Sequence, residues 1–148
     1  MIEDDNIQIF PSHLDPGLTL MIIYPESSKY KEVEPQFKKS GHAFILHEAK
    51  AVVVDGAIVN EPWFTIEHLM VIQAHELGHY RAEHAINAHI QEGIDIEKEA
   101  DWLGCMLLKE KGYHDALALH REEYECRYNS TPYEDSKKFE EKLGKFVH

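Results

Sequence analysis

Apolar residues in the first sixty positions fall into short runs rich in β-branched and aromatic side chains: NIQIF (6–10), LTLMIIY (18–24), HAFILH (42–47) and AVVVDGAIV (51–59). Such runs suit a pleated, half-buried surface and predict four strands. Pro25 closes the second, and the polar EAK (48–50) joins the third to the fourth. Between them PESSKYKEVEPQFKKSG (25–41), with Pro25, Pro35 and Gly41, reads as an excursion or short helix followed by a loop.

From Thr65 the spacing becomes helical. Ile66, Leu69, Ile72 and Leu77 form one apolar stripe, with Thr65 as the cap and Glu67 in the first turn. Gly93 interrupts the pattern; a second helix is expected from Asp95 to Lys111, stopped by Gly112, and a third from His114 or Asp115 to Tyr128. A short last helix is expected at TPYE (131–134), where Thr131 caps, Pro132 suits the first position and Glu134 completes a capping box. Strands first and helices after predict an α+β fold with a small antiparallel or mixed sheet.

The chain's 148 residues suit one compact domain, expected to span 1–148. With 43% hydrophobic and 28% charged residues the balance is globular, and no apolar run approaches the ~20 residues of a spanning helix. The acidic start, MIEDDNIQIF, is unlike a secretory signal and gives the expectation of a cytoplasmic protein without a membrane span. The net charge of −12 repels a phosphate backbone, so nucleic acid is not an expected partner. Cys105 and Cys126 form no Cys-x-x-Cys pair and read as buried free thiols. There is no internal repeat or low-complexity segment, and nothing in the pattern specifies an oligomeric state.

Chemistry concentrates in QAHELGHYRAEH (73–84). On a helix turning about 100° per residue, His75 and His79 share one face and can meet one ion, while Glu76 is rotated off that face toward a water on the metal. This is the His-Glu-x-x-His arrangement, with two zinc ligands and a general base. His84 is five residues past His79 and points about 140° away on an unbroken helix. It reads, like His89, as a structural or surface histidine. The third ligand is expected in DIEKEADWLG (95–104): Glu97 and Asp101 share a face, so Glu97 can bind metal while Asp101 accepts the ring N–H of a ligand histidine. Glu99 points about 200° from Glu97 and is expected to be solvated.

With these residues placed, the chain resembles the gluzincin metallopeptidases, in particular the family of the CAAX prenyl protease and the HtpX heat-shock protease. HAFILHEAKAVVVDGAIVNE (42–61) is similar to that family's Asn-Ala-Phe strand and following edge strand. AHELGHYRAEH (74–84) is similar to its zinc helix, and EKEADWLGCMLLKEKGYHDALAL (97–119) to its Glu-x-x-x-Asp helix and Gly-Tyr turn. The resemblance covers residues 42 to 120. It implies a zincin-like fold, a zinc ion on His75, His79 and Glu97, Glu76 as the catalytic glutamate and Asp101 as the partner of a ligand histidine. The chain departs from the family in lacking its membrane helices, in a short AINAHIQEGID (85–95) between the motif helices, in His42 for the asparagine, and in STPYEDS (130–136) where members carry Thr-His-Pro. The ImmA/IrrE peptidases, soluble proteins with the same motif pair closely spaced, are the next nearest in pattern.

The expected activity is that of a zinc-dependent endopeptidase on a protein or peptide substrate, with Glu76 taking a proton from a metal-activated water. His120, Tyr124 and Arg127 on the third helix are the candidates to steady the oxyanion. An extended substrate is expected to add as a strand to the edge near AVVVDG. Two other classes fit less closely. A zinc-containing regulatory module would have no use for Glu76 beside an open position, and a deformylase-like hydrolase of small amides would place a cysteine ligand upstream of the helix, whereas both cysteines here lie downstream.

Overall fold

The computed structural model describes residues 6–82 and 93–147. The apolar runs form β1 (Ile7–Pro11), β2 (Thr19–Ile23), β3 (Ala43–Leu46) and β4 (Ala51–Asp55), in one sheet of order β1-β2-β4-β3. β1 pairs antiparallel with β2, β2 runs parallel to β4, and β3 returns antiparallel to β4, so Leu20 lies opposite Val52 and Phe44 opposite Val53. The chain reaches β4 from β2 through α1 (Tyr30–Ser40) and β3. A mixed four-stranded sheet followed by helices makes the fold α+β.

The run AVVVDGAIV is not one strand. It stops at Asp55, whose carboxylate accepts the Ala57 N–H at 3.0 Å and starts the short helix α2 (Gly56–Val59). Nor is β4 an edge: it lies between β2 and β3 and all five of its residues are buried. Burial on both faces explains an unbroken run of valines where a one-sided strand would alternate. The free edge on this side of the sheet belongs to β3.

The polar segment before β3 is a helix of 11 residues that runs through Pro35. Phe37, with Tyr30 and Val33, packs on Ile23, Val53 and Phe44 across one face of the sheet. Pro35 is on the exposed side, where water can serve the carbonyl that loses its N–H partner. Gly41, at φ 77°, ends the helix in the left-handed region.

The other face of the sheet, through Leu20, Ile22, Val52 and Val54, receives Leu69 and Ile72 of α3 (Ile66–Arg81). Thr65 caps α3 as expected, its hydroxyl accepting the His68 N–H while the His68 ring accepts the Thr65 N–H. The apolar surface of α3 is broader than the predicted stripe. Leu69, Met70, Val71, Ala74 and Leu77 are all buried, because helices cover the side turned from the sheet, and Ile66 is instead 55% exposed.

α4 (Gly93–Lys111), α5 (His114–Tyr128) and α6 (Pro132–Val147) follow. Gly112, at φ 79°, and Asn129, at φ 55°, end α4 and α5 in the left-handed region. The last helix is not short: α6 runs 16 residues, with Phe139 against Trp102, whose indole N–H donates to the Pro132 carbonyl at 3.1 Å. Thr131 caps it by accepting the Glu134 N–H at 3.0 Å.

Two expectations about burial are corrected. Glu99 is buried rather than solvated, since α4 is enclosed over successive residues, Glu99 through Cys105. Of the two free thiols Cys105 is buried, but Cys126 lies on the outer face of α5 and is exposed. Among the described residues no helix is long and apolar enough to cross a membrane. His84 and His89 lie outside the described residues.

Candidate functional site

The site forms where α4 crosses α3. Small residues meet at the crossing: a Cβ on Gly78 would lie 2.9 Å from the carbonyl carbon of Ala100, and one on Gly104 would lie 3.1 Å from that of Ala74. With no side chains between them the two backbones close up. The start of α4 then sets Glu97 over His75 and His79, whose rings meet edge to face with centroids 4.6 Å apart. Glu97 Oε2 is 3.0 Å from His75 Nε2, Glu97 Oε1 is 3.4 Å from His79 Nε2, and the two Nε2 atoms are 3.0 Å apart.

Ligands held at about 2.0–2.1 Å around a tetrahedral zinc ion stand about 3.3 Å from one another, so a triangle of this size matches one face of such a polyhedron. Two imidazoles and one carboxylate are also a donor set that suits zinc and leaves a fourth position for water. His75, His79 and Glu97 are thus brought together as the spacing predicts.

Asp101 stands behind His75. Its Oδ1 is 2.6 Å from His75 Nδ1, and its Oδ2 accepts from Arg127 Nη1 at 2.9 Å and from the Tyr128 hydroxyl at 2.5 Å. With Nδ1 donating to Asp101, the Nε2 of His75 keeps its lone pair for an ion. Burial would push the Asp101 carboxyl up, but the His75 hydrogen bond and the positive groups around it hold it at about 2. In the metal-free protein burial pulls the His75 imidazole down, and its contacts with Asp101 and Glu97 override this and raise it to about 10. Glu97 is held low by its hydrogen bonds to the two histidines. All three shifts describe one cluster of tightly opposed charges.

Glu76 is 7% exposed and lies in a cleft of about 460 Å³ with His75 and Glu97. Burial raises its carboxyl, the two histidines pull it down, and the negative charges of Glu97 and Asp101 push it up again. Ser40, Gly41 and Ala43, at the end of α1 and the start of β3, form one side of the cleft, and His120, Glu123 and Arg127 of α5 form the other.

The three oxyanion candidates fare differently. His120 is buried and faces the cleft. Among the described residues neither ring nitrogen has a hydrogen-bond partner, and Asp101 Oδ1 is 3.9 Å away. Arg127 also lines the cleft but commits Nη1 to Asp101. Tyr124 does not reach the cleft: its ring lies with Trp102 and Phe139, and its hydroxyl donates to Asp135 at 2.6 Å. It lies one turn further along α5 than His120, where Trp102 and Phe139 cover it and Asp135 takes its hydroxyl.

Sequence reasoning missed Tyr128, the crossing glycines and the wall at Ser40–Gly41–Ala43. Ala74 with Gly78 and Ala100 with Gly104, each pair at helical spacing, were a readable sign of close helix contact. Nothing local marks Tyr128 as a partner of Asp101, because the contact joins helices far apart in the chain. Compared with known proteins, the chain matches no family model, no curated protein and no solved structure.

Proposed function

We propose that the chain is a zinc-dependent endopeptidase with a zincin-like fold, acting on protein or peptide substrates. The observation that carries this reading is the triangle of His75, His79 and Glu97 at 3.0, 3.0 and 3.4 Å with the buried Glu76 in the adjoining cleft. Two free thiols accord with a reducing compartment, and we place the protein in the cytoplasm.

A zinc ion on these three ligands would supply an acidified water and polarise a substrate carbonyl. Glu76, kept from charging too readily by burial, accepts the proton at its carboxylate and delivers it to the nitrogen of the leaving amine. His120, held neutral by burial with its pKa lowered to about 4, borders the cleft, and a ring N–H without a partner among the described residues would be the donor where charge develops on oxygen. An extended substrate would lie along β3, the strand with the free edge, beside Gly41 and Ala43.

Elemental analysis and cleavage of a peptide library test the reading together. We expect one zinc per chain, cleavage by the wild type, and a Glu76→Gln variant that keeps its zinc but loses cleavage by at least ~100-fold. A chain that takes up no zinc, or cleavage that survives Glu76→Gln undiminished, would overturn it.

A further inference from the structure

Beside the cleft a smaller depression of about 170 Å³ opens between α2, the turn before α3 and α3 itself, lined by Ile58, Trp63, Phe64 and His68. It shares Val71, Ile72 and Glu123 with the cleft, so the two adjoin. Its size is below the ~300 Å³ at which small-molecule sites begin, and matches one large side chain. Val71 and Ile72 stand one helical turn before His75, roughly 5–6 Å along the axis, and His68 roughly 10 Å. An extended chain advances ~3.3–3.6 Å per residue, so the depression receives a side chain within two residues of a carbonyl placed at the metal ligands.

The walls are built in advance. Trp63 is a large ring left 56% exposed. It meets His68 edge to face at 5.3 Å between centroids, and Phe64 stacks on the same imidazole at 5.7 Å. His68 is itself fixed, its Nδ1 lying 3.2 Å from the Thr65 nitrogen and 2.8 Å from its hydroxyl. Rigid aromatic walls beside water are what makes an apolar side chain bind with little loss of freedom.

We infer that this depression is the specificity pocket of the site, selecting peptides with an aromatic or long aliphatic residue within two positions of the cleaved bond. The inference rests on the endopeptidase reading for its place in a reaction, but the pocket can be tested by binding alone. The chain has two tryptophans, and Trp102 is buried, so Trp63 reports the pocket by its emission. Hexapeptide amides of alanine, with one phenylalanine walked through the positions, would be titrated into zinc-loaded Glu76→Gln.

We expect a saturable change in Trp63 emission, with phenylalanine peptides binding at least ten-fold tighter than the all-alanine one. Ile58→Phe, which fills the pocket, should abolish that preference. If Ile58→Phe does not fold, Trp63→Ala, altered at an exposed ring and followed by calorimetry, makes the same comparison. Equal binding of alanine and phenylalanine peptides, or a preference that survives both variants, overturns the pocket. Wild-type digestion of a peptide library then separates the two readings. A binding preference without cleavage leaves the pocket standing and removes the endopeptidase; cleavage with no aromatic or aliphatic enrichment near the bond does the reverse.

Discussion

Gly78 lies against the backbone of Ala100 with no room for a side chain: a Cβ there would sit 2.9 Å from the Ala100 Cα and carbonyl carbon. This contact sets the separation of α3 and α4, and hence whether Glu97 reaches His75 and His79. Neither backbone can rotate aside as a side chain could. Gly78→Ala should therefore cost about 1–3 kcal/mol by overpacking, read from denaturant midpoints, and weaken zinc binding measurably by calorimetry. Unchanged stability and zinc affinity would show that the crossing is not held by this contact.

Asp101 is the hub behind the proposed ligands, accepting from His75, Arg127 and Tyr128. Removing the carboxylate frees the His75 tautomer, so Asp101→Asn should lower zinc affinity about 10- to 100-fold, as outer partners of metal ligands generally do. Tyr128→Phe removes one donor and leaves the carboxylate on His75. It should cost about 1.5–3 kcal/mol of stability, the range for a hydrogen bond to a charged group, while changing zinc affinity by less than about ten-fold. Competition against a zinc-binding dye separates the two outcomes; equal losses in affinity would contradict this division of roles.

How far this was legible from sequence depends on the range of each interaction. The proposed ligands on α3 are one turn apart on one helix, so helical geometry alone placed His75, Glu76 and His79 together. Glu97 and Asp101 could be read because they also share a turn, and the crossing that brings them over α3 is marked by the small residues Gly78 and Ala100. The strand ending at Asp55 was hidden because AVVVDGAIV is apolar on both sides of the break, and the signal is one carboxylate turned onto the Ala57 N–H. Tyr124 was misplaced for a related reason. Its face on α5 is decided by Asp135 and Phe139 on α6, a helix whose length the sequence understated.

His120 gives the metal-free protein a pH dependence of definite sign. Burial lowers its pKa to about 4, aided by the charges of His75 and Arg127 and opposed by Asp101. The unfolded chain, with an ordinary histidine pKa near 6.5, binds the proton first. Stability is therefore present above about pH 6.5 and is lost as pH falls toward 4, by about 2 kcal/mol at pH 5. The raised His75 acts in the opposite sense, its stabilisation being full below about pH 6.5 and lost as pH rises toward 10, while the lowered carboxyls of Glu97 and Asp101 titrate below pH 5. Urea unfolding with a chelator present, at pH 6.5 and pH 5 where the His75 contribution hardly changes, should show the wild type losing more stability, or gaining less, than His120→Asn. A pH dependence unaltered by the substitution would mean that His120 is not held neutral in the fold.

Zinc, on this reading, fastens α3 to α4, because two donors come from one helix and the third from the other. Without the ion α3 and α4 are joined here only by hydrogen bonds between a raised His75 and the ionised Glu97 and Asp101, beside a raised Glu76. An ion that binds only the folded chain stabilises it by about 2.7 kcal/mol at a free concentration one hundred times its Kd. Chelation should thus lower the melting temperature by several degrees, and zinc should restore it. Glu97→Ala should abolish the response by removing the only donor from α4 in the triangle, while Glu76→Gln should retain it, since that side chain faces the cleft rather than the ion. Differential scanning fluorimetry with and without chelator reads all three proteins side by side. A zinc response that persists in Glu97→Ala would place the ion elsewhere, and one lost in Glu76→Gln would make that residue a ligand instead of a base.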